Sequence, residues 1–156
     1  MDKIRDIALK HLQYRERSTK EVVDHLKSKG YQEEDIEETI GFLKEFGYIN
    51  DERYGEIYIN YGIAKGWGPI KLKHGLKEKG ISPELMEAIF ENHEIYEREK
   101  DLAMGQAMKI LDRMGMESNS KQELNEKHLA KIGRRLAALG YRTHTVYGVL
   151  GELKNN

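Results

Sequence analysis

The 156 residues contain no cysteine. That removes disulfides, thiolate nucleophiles and cysteine-ligated metal sites together. Proline occurs only twice, and β-branched runs are nearly absent, so little in the chain opposes helix. No apolar run approaches the roughly 18 residues that a membrane span needs. The opening "MDKIRDIALK" lacks the apolar core of a secretion signal. No membrane association and a cytoplasmic location are therefore expected. A one-sided charge is missing too: the formal net charge is −1, so no global field draws the chain toward nucleic acid or lipid.

Catalytic signatures are equally sparse. The histidines at 11, 25, 74, 93, 128 and 144 show no pair at metal-ligand spacing, and "HEIYE" at His93 lacks the second histidine of a zinc-peptidase helix. Solvated or half-buried structural histidines are the expectation. No Gly-x-x-x-x-Gly-Lys-Ser/Thr stretch exists, so Gly66-Trp67-Gly68 is not a phosphate loop. The amides of a helix starting at Gly68-Pro69 still offer a place for a single anion. Carboxylates between Glu33 and Glu38 sit at a helix start, where the macrodipole accounts for them. Neither an enzyme nor a cofactor is expected.

What the chain does have is charge and order. Charged residues make up 34% and hydrophobic ones 38%, a polar balance typical of slender helical proteins. The charge is sorted along the sequence. Glu33, Glu34, Asp35, Glu37, Glu38, Glu45 and Asp51 face Lys44 alone, whereas Lys65, Lys71, Lys73, Lys77 and Lys79 face Glu78 alone. An acidic flank and a basic flank follow.

The order lies in three glycines, Gly30, Gly80 and Gly140. Each is followed by an apolar or aromatic residue: Tyr31, Ile81 or Tyr141. Leu26, Leu76 and Leu136 stand one turn before them, and Val22, Leu72 and Ile132 one turn earlier. An apolar helical stripe closed by glycine predicts a left-handed C′ position with the next residue folded back. Ile36 with Ile40, Leu85 with Ile89, and Val146 with Leu150 mark the helix that follows each corner. Ser18-Thr19-Lys20-Glu21 reads as a capping box, and Gly68-Pro69 and Ser82-Pro83 as helix starts. Preceding helices are expected near Lys3–Tyr14, Asp51–Ala64 and Ile95–Met114. The fold class is thus all-α: three tandem three-helix repeats spanning 1–49, 50–93 and 94–156. "GMESNSKQELNE", Gly115–Glu126, is the loop that lengthens the third.

The middle stretch "KGWGPIKLKHGLKEKGI" holds the densest positive charge. Leu72 and Leu76 should face the core, with Ile70 at the flank, leaving Lys73 and Lys77 as one exposed row and Lys71 near it. Lys131, Arg134, Arg135 and Arg142 supply a second basic row, expected in the corresponding positions of the third repeat. Such rows repel within a helix unless an anion meets them; a solvated lysine face is the bland alternative. Trp67 between two glycines either packs beneath its own repeat or anchors an interface. Arg15 and Arg17 occupy the matching turn of the first repeat.

These segments resemble a known family. "RERSTKEVVDHLKSKG", "GYINDERYGEIYI" and "GWGPIKLKHGLKEKGIS", in that order and spacing, are similar to the signature segments of RecX regulatory proteins. "KIGRRLAALGY" resembles their terminal repeat, and the likeness runs from Arg15 to about Leu150. The resemblance implies an elongated, curved array of these three tandem three-helix repeats and no catalytic residues. It implies a regulator that binds the RecA recombinase and its filament on single-stranded DNA, restraining recombination and the coprotease activity behind the SOS response. Candidate contacts are Arg15, Arg17, Arg53, Lys65, Trp67, Lys71, Lys73, Lys77, Lys131, Arg134, Arg135 and Arg142, on a chain expected to be a monomer. Whether DNA is touched directly stays open at this point. Three positions depart from the family pattern: Gly62 and Leu139 stand where arginine is common, and Gly55 where alanine is usual. Glycines inside helices, at 41, 75, 105, 133 and 148, imply either close helix approach or softness. The rival reading is a tandem three-helix transcription regulator, whose recognition helices would carry base-reading side chains and not mostly lysine.

Overall fold

The computed structural model describes residues 3–115 and 124–155. Among them are nine helices and no strand: α1 (Lys3–Gln13), α2 (Thr19–Ser28), α3 (Glu33–Glu45), α4 (Asp51–Ala64), α5 (Pro69–Glu78), α6 (Pro83–Asn92), α7 (Ile95–Arg113), α8 (Glu126–Ala138) and α9 (Thr143–Asn155). The all-helical expectation holds. Most of the loop expected between Gly115 and Glu126 lies outside the described residues.

Local chemistry accounts for the helix ends. Ser18 accepts a hydrogen bond from the Glu21 amide while the Glu21 carboxylate accepts from the Ser18 amide, a complete capping box for α2. Ser82 Oγ accepts from the Leu85 amide ahead of α6. Asn125 and His128 form the equivalent box for α8, a histidine standing where glutamate is usual.

The three corner glycines share one geometry. Gly30, Gly80 and Gly140 have φ of +88°, +79° and +96°, which costs glycine little and any other residue about 1–2 kcal/mol. Their amides donate to Lys27, Lys77 and Ala137 carbonyls at 2.9, 3.0 and 3.0 Å. The amides of Tyr31, Ile81 and Tyr141 reach back to Leu26, Leu76 and Leu136 at 3.3, 3.1 and 3.2 Å. This is the Schellman arrangement three times over. It recurs at two corners the sequence pattern did not single out. Gly47 with Tyr48 ends α3, and Gly66 with Trp67 ends α4.

The chain divides into two compact units: Met1–Tyr58 with Gly75–Ile89, and Ile59–His74 with Phe90–Asn156. The division passes through α4 and α5, so the middle helices serve both. In the first unit Ala8, Val22, Leu26, Ile36, Ile40, Leu43 and Ile49 form a shared core of α1–α3. The His11 and His25 rings stack there, 3.8 Å apart and parallel within 2°. Burial foremost, with nearby positive charge, lowers both pKa values, which favours two neutral rings. In the second unit Ala103, Ala107, Ile110, Leu111, Ile132, Leu136, Tyr141, Val146 and Val149 form the core of α7–α9.

Each unit also contains a corner glycine seated against the start of another repeat's second helix. In the first, a Cβ at Gly80 would meet Lys20 Cβ at 2.6 Å, and Lys20 Nζ donates to the Glu78 carbonyl at 3.1 Å. In the second, a Cβ at Gly140 would meet Lys71 Cβ at 2.5 Å, and one at Gly68 would meet Gly140 backbone at 2.6 Å. The Gly68 and Ile70 amides donate to the Leu139 and Gly140 carbonyls at 2.7 and 2.9 Å. The anion place anticipated at Gly68-Pro69 is corrected here: two of its amides already serve this seat.

Not every helix-internal glycine is needed for packing. A side chain at Gly75 would collide with the Tyr58 hydroxyl, and one at Gly55 with Ile89, whereas Gly41 and Gly105 look onto open space. Gly105→Ala should therefore raise the unfolding free energy by up to about 1 kcal/mol. Gly140→Ala should lower it by roughly 2 kcal/mol or more, through the left-handed φ and the crowding against Lys71. Urea unfolding of the two variants measures both signs.

Candidate interaction site

The twelve candidate residues separate into two groups. Four arginines are spent on the fold. Arg15 pairs with Glu21 at 2.6 Å, and Arg53 pairs with Glu16 at 2.5 Å and donates to the Gly47 carbonyl at 3.2 Å. Arg17 Nε donates to the His11 carbonyl at 3.3 Å. Arg142 is held by Glu99, a carboxylate only 1% exposed, through its Nε at 2.7 Å and its own amide at 2.8 Å. Its guanidinium also lies over the Tyr96 ring at 4.3 Å. Paired charges of this kind present little potential outward. Sequence spacing could not reveal the pairing, because Glu99 and Arg142 lie far apart in the chain.

Glu21 shows how strongly the first unit uses such charges. Burial opposes its ionisation, yet hydrogen bonds from Arg15 and the Ser18 amide, with attraction from Arg15 and Lys79, outweigh it. The pKa falls from 4.5 to about 2. Tyr54 beside it is pushed up to about 12, by burial first and then by the Glu21 charge.

Seven of the eight remaining candidates lie at the surface. Lys65, Lys71, Lys73, Lys77, Lys131, Arg134 and Arg135 are exposed. On α5 the buried Leu72 separates Lys71 from Lys73, since two residues subtend about 200° on a helix. Lys73 and Lys77 form the expected row. Lys71 does not lie near it; it occupies the other flank, against Gly140 and the Trp67 ring. The anticipated equivalence of the two basic rows is also corrected. Aligning Gly80 with Gly140 matches Lys71 to Lys131, but Lys73 to Gly133 and Lys77 to Ala137. Lys131, Arg134 and Arg135 therefore correspond to the Lys71 flank of their helix and not to the Lys73–Lys77 row.

Trp67 packs beneath its own repeat. Its amide donates to the Gly62 carbonyl at 2.9 Å, and a Cβ at Gly62 would meet the indole at 2.8 Å and also strike Leu72. Tyr61 meets the indole edge-on with centroids 5.6 Å apart, and Lys71 Nζ lies 4.7 Å above it. Lys65 Nζ stands 5.5 Å from the Tyr61 ring. Tyr61 was not among the sequence candidates; its place one turn before Lys65 was the available signal. A hollow of about 560 Å³ in the first unit is lined by Asp6, Leu9, Lys10, Leu12, Gln13 and Tyr48, and no candidate contributes to it. No helix among the described residues is long and apolar enough to cross a membrane.

Residues 5–43 match the family model described as "RecX, first three-helix domain", and residues 50–88 match "RecX, second three-helix domain". The chain is 30% identical over all 156 of its residues to the regulatory protein RecX of Legionella pneumophila (strain Corby), covering 98% of that relative. The chain belongs to the RecX family. It is also 34% identical to the RecX of Bacillus licheniformis over 81% of this chain and 48% of that one. The crystal structure of RecX from Lactobacillus salivarius superimposes with a TM-score of 0.78 at 26% identity, over 99% of this chain and 96% of that one. The three-helix repeats of the RecX family thus account for the helical array, and membership places the chain among regulatory proteins.

Glycine at position 62 has a physical reason: any side chain there would unseat Trp67 and Leu72. Leu139 packs on the core of the second unit, and its carbonyl receives the Gly68 amide. Gly62→Ala should displace the indole, shift its emission to the red and lower stability by about 1–2 kcal/mol; fluorescence during urea unfolding reads both. For Glu21, the ionised form is the one folding favours. Its contribution is complete above pH 4.5 and fades as the pH falls toward 2. Unfolding free energy should drop across that window, and Glu21→Gln should flatten the drop while destabilising the protein at pH 7.

Proposed function

We propose that this chain modulates RecA, inhibiting its recombinase and coprotease activities by binding the RecA filament on single-stranded DNA. The observation that carries the reading is family membership along the whole chain, which brings with it the RecA role that the signature segments imply. Two exposed basic surfaces fit the anionic character of a nucleoprotein filament. One is the Lys73–Lys77 row of α5, and the other is Lys131, Arg134 and Arg135 of α8. Arg15, Arg17, Arg53 and Arg142 act in this reading by shaping the turns that present these surfaces. The repeats are taken as 1–49, 50–93 and 94–156, working as a monomer in the cytoplasm without a cofactor. The role is regulatory and not enzymatic.

A transcription regulator built from tandem three-helix modules fits less well. Exposed positions on α5 carry Lys71, Lys73 and Lys77, and lysine mainly reads phosphate and not base sequence.

Reversing charge at Lys73 and Lys77 should weaken inhibition of RecA ATP hydrolysis on single-stranded DNA by about tenfold, with helical content and unfolding midpoint retained. Reversal at Lys131, Arg134 and Arg135 ranks the second surface in the same assay. Full inhibition by both folded variants would refute the basic-surface assignment, and failure of the unaltered protein to inhibit RecA would refute the function.

A further inference from the structure

The second unit carries a strip in which charge and aromatic rings alternate. Tyr61 and Lys65 lie one turn apart on α4, Trp67 follows at the corner closed by Gly66, and Lys71 stands in the first turn of α5. Tyr61 is 53% exposed, and Trp67 is half-buried beneath it. Each ring has its own ammonium group, at 5.5 Å for Tyr61 and 4.7 Å for Trp67. The phenol meets the indole edge-on, a favoured arrangement for an aromatic pair.

That arrangement is costly to explain as packing alone. An exposed tyrosine ring gains little hydrophobic stabilisation, and the lysine over it adds only the modest cation–π attraction of an exposed site. Flat rings flanked by cations suit a ligand that offers a flat ring and an anion at each repeat. A single nucleic-acid strand does so, with bases to stack and phosphates for the lysines. An acidic peptide would use the lysines but leave the ring without a matching π-face. A duplex would hide its bases from the ring.

We infer that Tyr61, seated on Trp67 and flanked by Lys65 and Lys71, is a stacking site for a base of single-stranded nucleic acid. The inference deepens the filament reading above by making the strand itself a ligand, and rests on that reading for its biological setting. Gly62 belongs to the site as a positioning residue, because its missing side chain makes the seat for Trp67.

A labelled oligothymidylate titrated with the purified protein alone, followed by anisotropy, tests the site without RecA. The unaltered protein should bind with an affinity that falls as salt rises. Tyr61→Ala should weaken binding about tenfold, as loss of one stacking ring does, while Tyr61→Phe should stay within about twofold. Trp67 is the single tryptophan, so its emission should also change on addition of the strand. Polyglutamate at equal charge should compete poorly. No detectable binding of the oligonucleotide would overturn the site, and so would equal affinity for Tyr61→Ala and the unaltered protein. Polyglutamate competing as well as the oligonucleotide would show an acidic protein surface to be the occupant instead, which also overturns it. Retained inhibition of RecA alongside any of these failures leaves the filament reading standing. Binding of the strand without RecA inhibition separates the two in the other direction.

Discussion

A glycine at positive φ, followed by one residue that turns back onto the helix it has just left, is the constraint on which this molecule depends. The corner satisfies two orphan carbonyls of the outgoing helix and buries an apolar side chain against its last turn. Because glycine has no Cβ, the outside of the same corner is bare backbone. At Gly80 that bare surface receives Lys20, and at Gly140 it receives the Gly68–Lys71 turn. One residue type thus ends a helix and opens a seat for another. The division into two compact units passes through α4 and α5, and each unit contains one such seat.

The seats also decide what becomes of the charges. Where a corner meets the start of another helix, polar groups are buried and must be matched. Glu21 answers Arg15, Lys79 and the Ser18 amide, and Glu99 answers Arg142 at its side chain and its backbone. Tyr141 sends its hydroxyl to the Gly66 carbonyl at 2.8 Å, and its pKa is pushed up to about 12 by burial and then by Glu99. Truncating Arg142 strands Glu99, only 1% exposed, in a dry setting, so this pair specifies a geometry more than it adds stability. Lysines outside the seats are left for solvent or for a ligand. The Tyr61–Trp67 strip borders on the seat at Gly68, so a surface suited to a strand grows out of the same corner chemistry.

Much of this was legible in the sequence. The periodic leucines before Gly30, Gly80 and Gly140 locate three helices and their ends, since helix period and glycine's backbone freedom are local properties. The capping box at Ser18 and the prolines at 69 and 83 set helix starts for the same reason. The site was less legible. Arg53 and Arg142 look like exposed cations in one dimension, and only their distant carboxylates, Glu16 and Glu99, show them to be structural. Lys71 reads as a neighbour of Lys73 until the helix turn places Leu72 between them. Tyr61 meets Trp67 only because the corner at Gly66 turns the chain.

By itself, then, the order of residues determined the helices, their caps, their glycine corners and the family to which the chain belongs. Each of these follows from interactions within a few residues or from signature segments read in line. Tertiary structure alone decided which cations are neutralised and that each ring of an aromatic pair has an ammonium group over it. Those outcomes depend on which distant carboxylate, carbonyl or ring arrives within about 3–5 Å, the range over which a charge pair or stacked ring matters. Spacing along the chain carries no information about that arrival.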